Sequence, residues 1–265
     1  MSKKEFLALV IILGIAALFR FYNITSTPLG LYPDEAMNGS NAQEALATNE
    51  FKIFYPENNG REGLFINIQA ASLALFGNYP WALRGVSALF GTLTILGIYL
   101  VGREFFSRKK RSWAPLLAAF FTATSFWHLN FSRIGFRAIS VPFFATFGLY
   151  FLLRGLRKNN ILDLTLAGVF IGLGFHTYIA FRFMPFVIAI PLGVALWRWW
   201  QHRRTLATAS VPIPASWHTV ACAPCAVILF LFITFITALP IGWYFLQHPE
   251  SFVGRGAQVS IFETP

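Results

Sequence analysis

Apolar residues along the chain form runs of about 20 residues separated by short polar segments, a spacing that predicts membrane-crossing helices. The seven runs lie at 6–23, 80–102, 113–131, 138–154, 161–180, 182–200 and 220–246. Composition supports the same interpretation, because 56% of the 265 residues are hydrophobic and only 12% are charged, whereas soluble domains carry about 25% charged residues. We therefore predict an all-α fold, a polytopic transmembrane helical bundle with about seven spans.

The first apolar run follows Lys3 and Lys4, which gives the N-terminus the outline of a signal peptide. No small-x-small cleavage site follows the run. We therefore expect residues 6–23 to be retained as the first membrane helix.

Basic residues are clustered in the polar segments between alternate runs. The clusters are Lys3 with Lys4, and the segments 103–111, 154–159 and 198–204. With seven spans all of them lie on one side of the membrane, and the positive-inside rule makes that side, and the N-terminus, cytoplasmic. The formal net charge of +10 is therefore interpreted as a topology signal, and nucleic acid is not expected as a partner.

The same alternation places residues 24–79 outside the cytoplasm as a long first loop. An apolar but short run at 62–77 lies within it and contains Asn67 and Gln69. If that run crossed the membrane, the later basic clusters would be moved to the outside. We therefore predict that it forms an amphipathic helix lying in the membrane interface.

An acidic pair, Asp34 and Glu35, follows Pro33 in this first loop. Proline favours the first turn of a helix, and the helix dipole stabilises carboxylates there. An ionised Asp34 could accept a proton from a substrate hydroxyl or bind a divalent cation. The alternative is that the pair only stabilises the start of the helix.

Isolated arginines on the predicted outer side run against the positive-inside bias. They are Arg84, Arg133, Arg137, Arg182 and Arg255. Two belong to the short turn after the third run, and Arg182 follows His176 and Tyr178 between the fifth and sixth runs. Guanidinium groups match phosphate oxygens, although they could also extend to lipid headgroups. A carboxylate and arginines at one membrane face indicate transfer from a phosphate-activated lipid.

Several stretches, taken together in their order and spacing, resemble the GT-C superfamily of membrane glycosyltransferases. The closest branch is that of dolichyl-phosphate-mannose–protein mannosyltransferases and bacterial aminoarabinose transferases. The stretches are YPDEAMNGSNAQEAL (32–46), the segment from GREGL to GREFF (60–106), FSRIGFRAI (131–139), GFHTYIAFRFMP (174–185) and HPESFVGRGAQVSIF (248–262). The likeness extends over nearly the whole chain.

The resemblance implies a single GT-C-type transmembrane module over residues 1–265 in a bacterial-type cell membrane. It implies an inverting glycosyltransferase that takes a mannose-like sugar from a polyprenyl-phosphate carrier on the extracytoplasmic side. The acceptor would be a protein, lipid or glycan. Asp34, followed by Glu35, matches the family's catalytic base or metal neighbour. A divalent cation is then a candidate cofactor.

Further site residues are implied by the same match. The donor-phosphate candidates are Arg133, Arg137 and Arg182. The acceptor or metal candidates are Arg61, Glu62, His176 and Tyr178, and a metal would be held by Asp34 and Glu62. Arg61 and Glu62 are approximate matches, because the family's PPL segment reads GREGL here.

Other interpretations of the sequence remain open at this point. Family members usually continue with more spans and often a soluble outer domain, so we expect this chain to lack C-terminal spans that recognise the acceptor. One alternative is a secondary transporter with Asp34 and His176 in a proton relay. Another is an inactive fragment that assembles with a second membrane protein. The Cys-x-x-Cys motif at Cys222 and Cys225, near His218, is expected to be inert packing.

Overall fold

The computed structural model describes residues 2–106, 112–208 and 223–252. These residues form α-helices joined by short turns, with one small β-ladder. The helices are α1 (Lys3–Phe21), α2 (Pro33–Thr48), α3 (Leu64–Phe76), α4 (Pro80–Phe105), α5 (Ala114–Thr124), α6 (Phe126–Arg133), α7 (Ser140–Lys158), α8 (Ile161–Gly174), α9 (Met184–Thr208) and α10 (Ala223–Gln247). The antiparallel ladder joins β1 (Phe54–Tyr55) to β2 (Arg61–Glu62). Two 3-10 turns, Arg137–Ile139 and Ile179–Phe183, precede α7 and α9.

Four helical segments in the described part of the chain are long and apolar enough to cross a membrane. They are Pro80–Phe105, Arg137–Lys158, Ile179–Arg204 and Ala223–Gln247, which coincide with the second, fourth, sixth and seventh predicted runs. The prediction of an all-α polytopic membrane bundle is confirmed. The count of seven spans stays a prediction.

The third and fifth apolar runs form shorter helices than the sequence suggests. Extended backbone at Ser125 divides the third run into α5 and α6. The buried guanidinium of Arg20, in α1, donates to the freed Ala123 carbonyl at 3.2 Å, which satisfies one of the acceptors that a helix end leaves open. The fifth run forms the 14-residue α8, about 21 Å long, against a hydrocarbon core of about 30 Å.

The largest apolar core lies between α4, α7, α8 and α10. Its fully buried side chains include Leu152, Ile171 and Phe230. Two glycines of α8, Gly168 and Gly172, face α10 so closely that a Cβ on Gly172 would lie 2.9 Å from the Thr234 carbonyl oxygen. Small residues four apart permit this backbone approach between membrane helices.

The first loop folds into α2, the ladder and α3, packed against the start of α4. The helix predicted at 62–77 is present as α3, which buries Ile66, Ala70 and Leu73 against a cluster that includes Leu83 of α4. Its location in the membrane interface stays a prediction. Burial raises the pKa of the Tyr55 phenol, so the hydroxyl remains a donor to Asn67 Oδ1 at 2.9 Å.

Candidate active site

The acidic pair occupies the first turn of α2, where the two carboxylates have different environments. Glu35 is fully buried and forms an ion pair with Arg84 of α4, with 2.8 Å from Nε to Oε1. The backbone N–H of Tyr32 donates to Glu35 Oε2 at 3.2 Å, an N-terminal capping interaction of α2. Glu35 is therefore held on both sides by protein groups.

Arg84 also fastens the loop that precedes α2. Its guanidinium donates to the carbonyl oxygens of Ile24 at 3.4 Å, Pro28 at 2.9 Å and Gly30. Because one side chain joins α4, the incoming loop and Glu35, it fixes the direction in which α2 begins.

Asp34 is half-buried and takes no part in this ion pair. Its Oδ1 accepts a hydrogen bond from Asn58 Nδ2 at 2.8 Å. Within the described ranges, no lysine, arginine or histidine lies within ion-pair distance of Asp34. Its carboxylate therefore keeps lone pairs for a bound molecule.

The ladder brings the second polar cluster against α2. Arg61 is buried, and its Nη1 donates to Asn38 Oδ1 at 2.9 Å while its Nη2 donates to Asn41. A further bond runs from Arg61 Nε to the Glu57 carbonyl at 3.2 Å. Arg61 thus fixes the ladder to the face of α2 that also carries the acidic pair.

Glu62, the next residue, is buried between two of the predicted phosphate-binding arginines. Its Oε2 lies 2.8 Å from Nη1 of Arg137, and its Oε1 lies 3.7 Å from Nη2 of Arg182. The Arg137 guanidinium lies over the Tyr178 ring at 5.3 Å, and Arg182 lies over the Phe252 ring at 4.3 Å. Two guanidinium groups therefore converge on one buried carboxylate.

The turn between α6 and α7 connects the two halves of the site. The Gly135 carbonyl accepts from Asn38 Nδ2 at 3.2 Å, and a Cβ on Gly135 would lie 2.9 Å from Glu35 Cγ. The neighbouring Phe136 ring contacts Tyr32 on one side and Tyr178 on the other, with centroid distances of 6.3 and 5.9 Å. The structure therefore groups the start of α2, the ladder and the turns before α7 and α9.

Two predicted site residues point elsewhere. Arg133 donates to the carbonyl oxygens of Phe19 at 2.7 Å and Thr27 at 3.0 Å, so it fastens the end of α1. His176 places Nε2 2.9 Å from the Thr237 carbonyl of α10. Contacts in the described part of the chain do not join His176 to Asp34, as a direct proton relay would require.

Some sequence features fall outside the described residues, namely His218, Cys222 and Arg255. Among the residues that the structure describes, no three His, Cys, Asp or Glu side chains come together as a metal-binding group. A divalent cation at Asp34 would therefore need ligands from the substrate or from groups other than these side chains.

The sequence prediction did not include four residues that build the site. Asn38 follows Asp34 by four positions, so helical spacing could have placed both on one face of α2. Arg84 was recognised as an outer arginine, but its pairing with Glu35 crosses 49 positions. Asn58 and Gly135 carry no local signal of their role.

A bundle of apolar helices with a carboxylate and arginines clustered at one end defines a class, the polytopic helical membrane proteins. The family model described as dolichyl-phosphate-mannose-protein mannosyltransferase matches residues 64–230. The chain therefore belongs to that family, which confirms the resemblance found in the sequence. The matched range includes Arg84, Arg137 and Arg182, and it begins after the acidic pair.

A solved structure supports the fold independently. It is the S. cerevisiae protein O-mannosyltransferase Pmt1-Pmt2 complex bound to the sugar donor, with a TM-score of 0.69 and 19% sequence identity. The similarity covers 95% of this chain and 34% of that chain, so this chain corresponds to about a third of the matched one. Comparison with curated proteins gives no match.

Proposed function

We propose that this chain is a glycosyltransferase module that moves a mannose-like sugar from a polyprenyl-phosphate carrier to a hydroxyl of a protein, lipid or glycan. The observation that carries the proposal is the division of the acidic pair. Glu35 is buried on Arg84, whereas Asp34 is half-buried and without a cationic partner among the described residues. One carboxylate is therefore structural, and the other has room for a substrate.

Asp34 is the general base in this proposal. The acceptor hydroxyl gives its proton to the Asp34 carboxylate as its oxygen forms the new bond to the anomeric carbon. The bond from that carbon to the phosphate oxygen breaks, and its electron pair leaves with the polyprenyl phosphate. Attack opposite to the leaving group inverts the anomeric configuration. The hydrogen bond from Asn58 orients the carboxylate without removing its charge.

Arg137 and Arg182 stabilise the departing phosphate. Their pairing with the buried Glu62 fixes both guanidinium groups before substrate arrives, and preorganised charge is worth most where negative charge develops in the transition state. Guanidinium groups offer donors that match the oxygens of a phosphate. Arg133, which is bonded to α1 and the following loop, is left out of this role.

The reaction is assigned to the extracytoplasmic face of a bacterial-type membrane. The described residues of the basic clusters lie at the other ends of the same helices, and the positive-inside rule orients those ends toward the cytoplasm. A lipid-linked donor fits this location, because its phosphate lies at the depth of the helix ends. The partners are then the bilayer, the lipid-linked donor and the hydroxyl acceptor.

The test is a transfer assay in nanodiscs with polyprenyl-phosphate-[³H]mannose and a hydroxyl acceptor peptide. We expect wild type to release polyprenyl phosphate, and Asp34→Asn to lower the rate by about 10²–10⁴-fold, as for loss of a positioned base. Glu50→Gln is the matched control, because it removes one exposed carboxylate from the same loop and should leave the rate unchanged.

Donor binding separates chemistry from misfolding. Asp34→Asn should bind the donor with nearly the wild-type Kd, since the amide occupies the same space as the carboxylate. Near-normal transfer by Asp34→Asn would refute the base assignment. A wild-type chain that neither binds nor turns over lipid-linked sugars would refute the proposed function for this chain.

A further inference from the structure

An open cavity of about 1120 Å³ lies at the end of the bundle away from the candidate active site. It is formed where α1 and α5 begin and where α4 and α7 end. On α4, Arg84 of the candidate site and Arg103 of the cavity are 19 residues apart, so about 28 Å of helix separates them. That length is close to the thickness of a bilayer's hydrocarbon core, about 30 Å. The cavity therefore lies at the headgroup level of the opposite leaflet.

Among the described residues, six cationic side chains line this cavity, against two carboxylates, Glu5 and Glu104. The cations are Lys3, Lys4, Arg103, Arg154, Arg157 and Lys158. This excess of positive charge favours an anionic ligand.

The carboxylates hold only part of this charge. Arg157 forms a two-bond pair with Glu104, at 2.8 and 3.0 Å, and Arg154 lies 3.2 Å from Asp163, which is outside the lining. Arg103 lies 3.8 Å from Glu5. The side chains of Lys3, Lys4 and Lys158 have no hydrogen-bond or ion-pair partner in the part of the chain that the structure describes. The three lysines are therefore available to a ligand that enters the cavity.

Apolar side chains, among them Leu100, Trp113 and Leu116, form much of the rest of the wall. A purely ionic ligand would gain nothing from this surface, whereas a phospholipid places its first acyl carbons beside its phosphate. Cationic groups near a membrane surface attract anionic lipids. We propose that the cavity, here named the basic pocket, binds the phosphate headgroup of an anionic glycerophospholipid in the leaflet that faces Lys3 and Lys4.

The experiment is a lipid titration of the purified chain in detergent, followed by native mass spectrometry. The probes are phosphatidylglycerol and phosphatidylcholine with the same acyl chains, and inorganic phosphate and glycerol 3-phosphate as soluble competitors. The pocket variant combines Lys3→Gln, Lys4→Gln and Lys158→Gln. The control variant combines Arg198→Gln, Arg203→Gln and Arg204→Gln, which removes the same charge from the end of α9, outside the basic pocket.

We expect wild type and the control variant to bind phosphatidylglycerol more tightly than phosphatidylcholine. Loss of one surface cation weakens anionic-lipid binding by roughly fivefold, so the pocket variant should raise the Kd about 100-fold. Circular dichroism of all three proteins should be the same. The soluble phosphates should compete poorly, because they lack the acyl carbons.

Three results would overturn the proposal. Equal affinity of wild type for the two lipids would remove the anionic preference. If the pocket and control variants lost the same affinity for phosphatidylglycerol, binding would depend on general surface charge and not on the basic pocket. Full displacement of phosphatidylglycerol by soluble phosphate would identify a phosphate site that takes no lipid. None of these results bears on transfer at Asp34. The lipid titration therefore tests the basic pocket independently of the proposed function.

Discussion

Replacing Arg84 with methionine tests whether the buried ion pair holds the candidate site together. Methionine fills much of the space of the arginine stem but carries no charge and no donor. The change removes the guanidinium that contacts both carboxylate oxygens of Glu35, at 2.8 and 3.4 Å. It also leaves the Pro28 carbonyl without its bond at 2.9 Å. Glu35 would remain fully buried with the Tyr32 N–H as its remaining donor.

The expected loss of free energy of unfolding depends on which partner of the ion pair is removed. Removing one partner of a buried ion pair costs about 3–5 kcal/mol, because the other charge stays buried and uncompensated. The reverse change, Glu35→Gln, leaves Arg84 with the carbonyls of the incoming loop, so it should cost about 1–3 kcal/mol. Arg84→Met should therefore destabilise the protein more than Glu35→Gln does.

The double variant provides the sharper measurement. Glu35→Gln combined with Arg84→Met removes the buried charge altogether. The double variant should therefore lose about 2 kcal/mol less free energy of unfolding than the two single variants lose in sum. The assay is reversible unfolding by SDS in mixed micelles, followed by circular dichroism. Lys52→Met is the control, because its ion pair with Glu44 is exposed and its loss should leave the free energy of unfolding nearly unchanged.

Two outcomes would contradict this reasoning. If the double variant lost as much free energy of unfolding as the two single variants in sum, within about 0.5 kcal/mol, Glu35 and Arg84 would act independently. A larger loss for Glu35→Gln than for Arg84→Met would mean that the carboxylate, rather than the guanidinium, holds the loop before α2.

Two further predictions concern the turn between α6 and α7. Gly135→Ala should lower the free energy of unfolding by about 1–3 kcal/mol and slow sugar transfer, since its Cβ would lie 2.9 Å from Glu35 Cγ. Gly85→Ala is the control, because a Cβ there meets nothing within 4 Å, and it should leave the free energy of unfolding unchanged. Arg137→Gln should weaken binding of the lipid-linked donor by at least about tenfold, whereas Arg133→Gln should mainly lower stability. Equal donor Kd values for Arg137→Gln and Arg133→Gln would contradict the separation of their roles.

Helix positions could be predicted from the sequence because they depend on local properties. A run of apolar residues in a membrane satisfies its backbone groups only as a helix, so length and composition are sufficient for α4, α7, α9 and α10. The break at Ser125 was missed because serine does not forbid a helix. What permits the break is a distant group, Arg20, which donates to the Ala123 carbonyl.

The candidate site was predicted less completely, because its contacts join distant parts of the chain. The acidic pair was located from Pro33 and the helix dipole, but the two carboxylates could not be assigned different roles. That assignment depends on Arg84, which lies 49 positions after Glu35. Likewise, Arg133 and Arg137 are alike in sequence, and their distant partners distinguish them. Arg133 bonds to the Phe19 carbonyl, whereas Arg137 pairs with Glu62, 75 positions before it.

The division of the acidic pair follows from helix geometry once Arg84 is in place. Consecutive helical residues point about 100° apart, so Asp34 and Glu35 cannot both reach one guanidinium. If both were exposed, Arg84 would stay buried with its carbonyl partners but without the carboxylate that balances its charge, at a cost of about 1–3 kcal/mol. If both were buried, Asp34 would need a second cation, and among the described residues none lies within ion-pair distance of it. Burying Glu35 and leaving Asp34 accessible satisfies both constraints, so the ion pair that stabilises the loop also presents the carboxylate that we assign to catalysis.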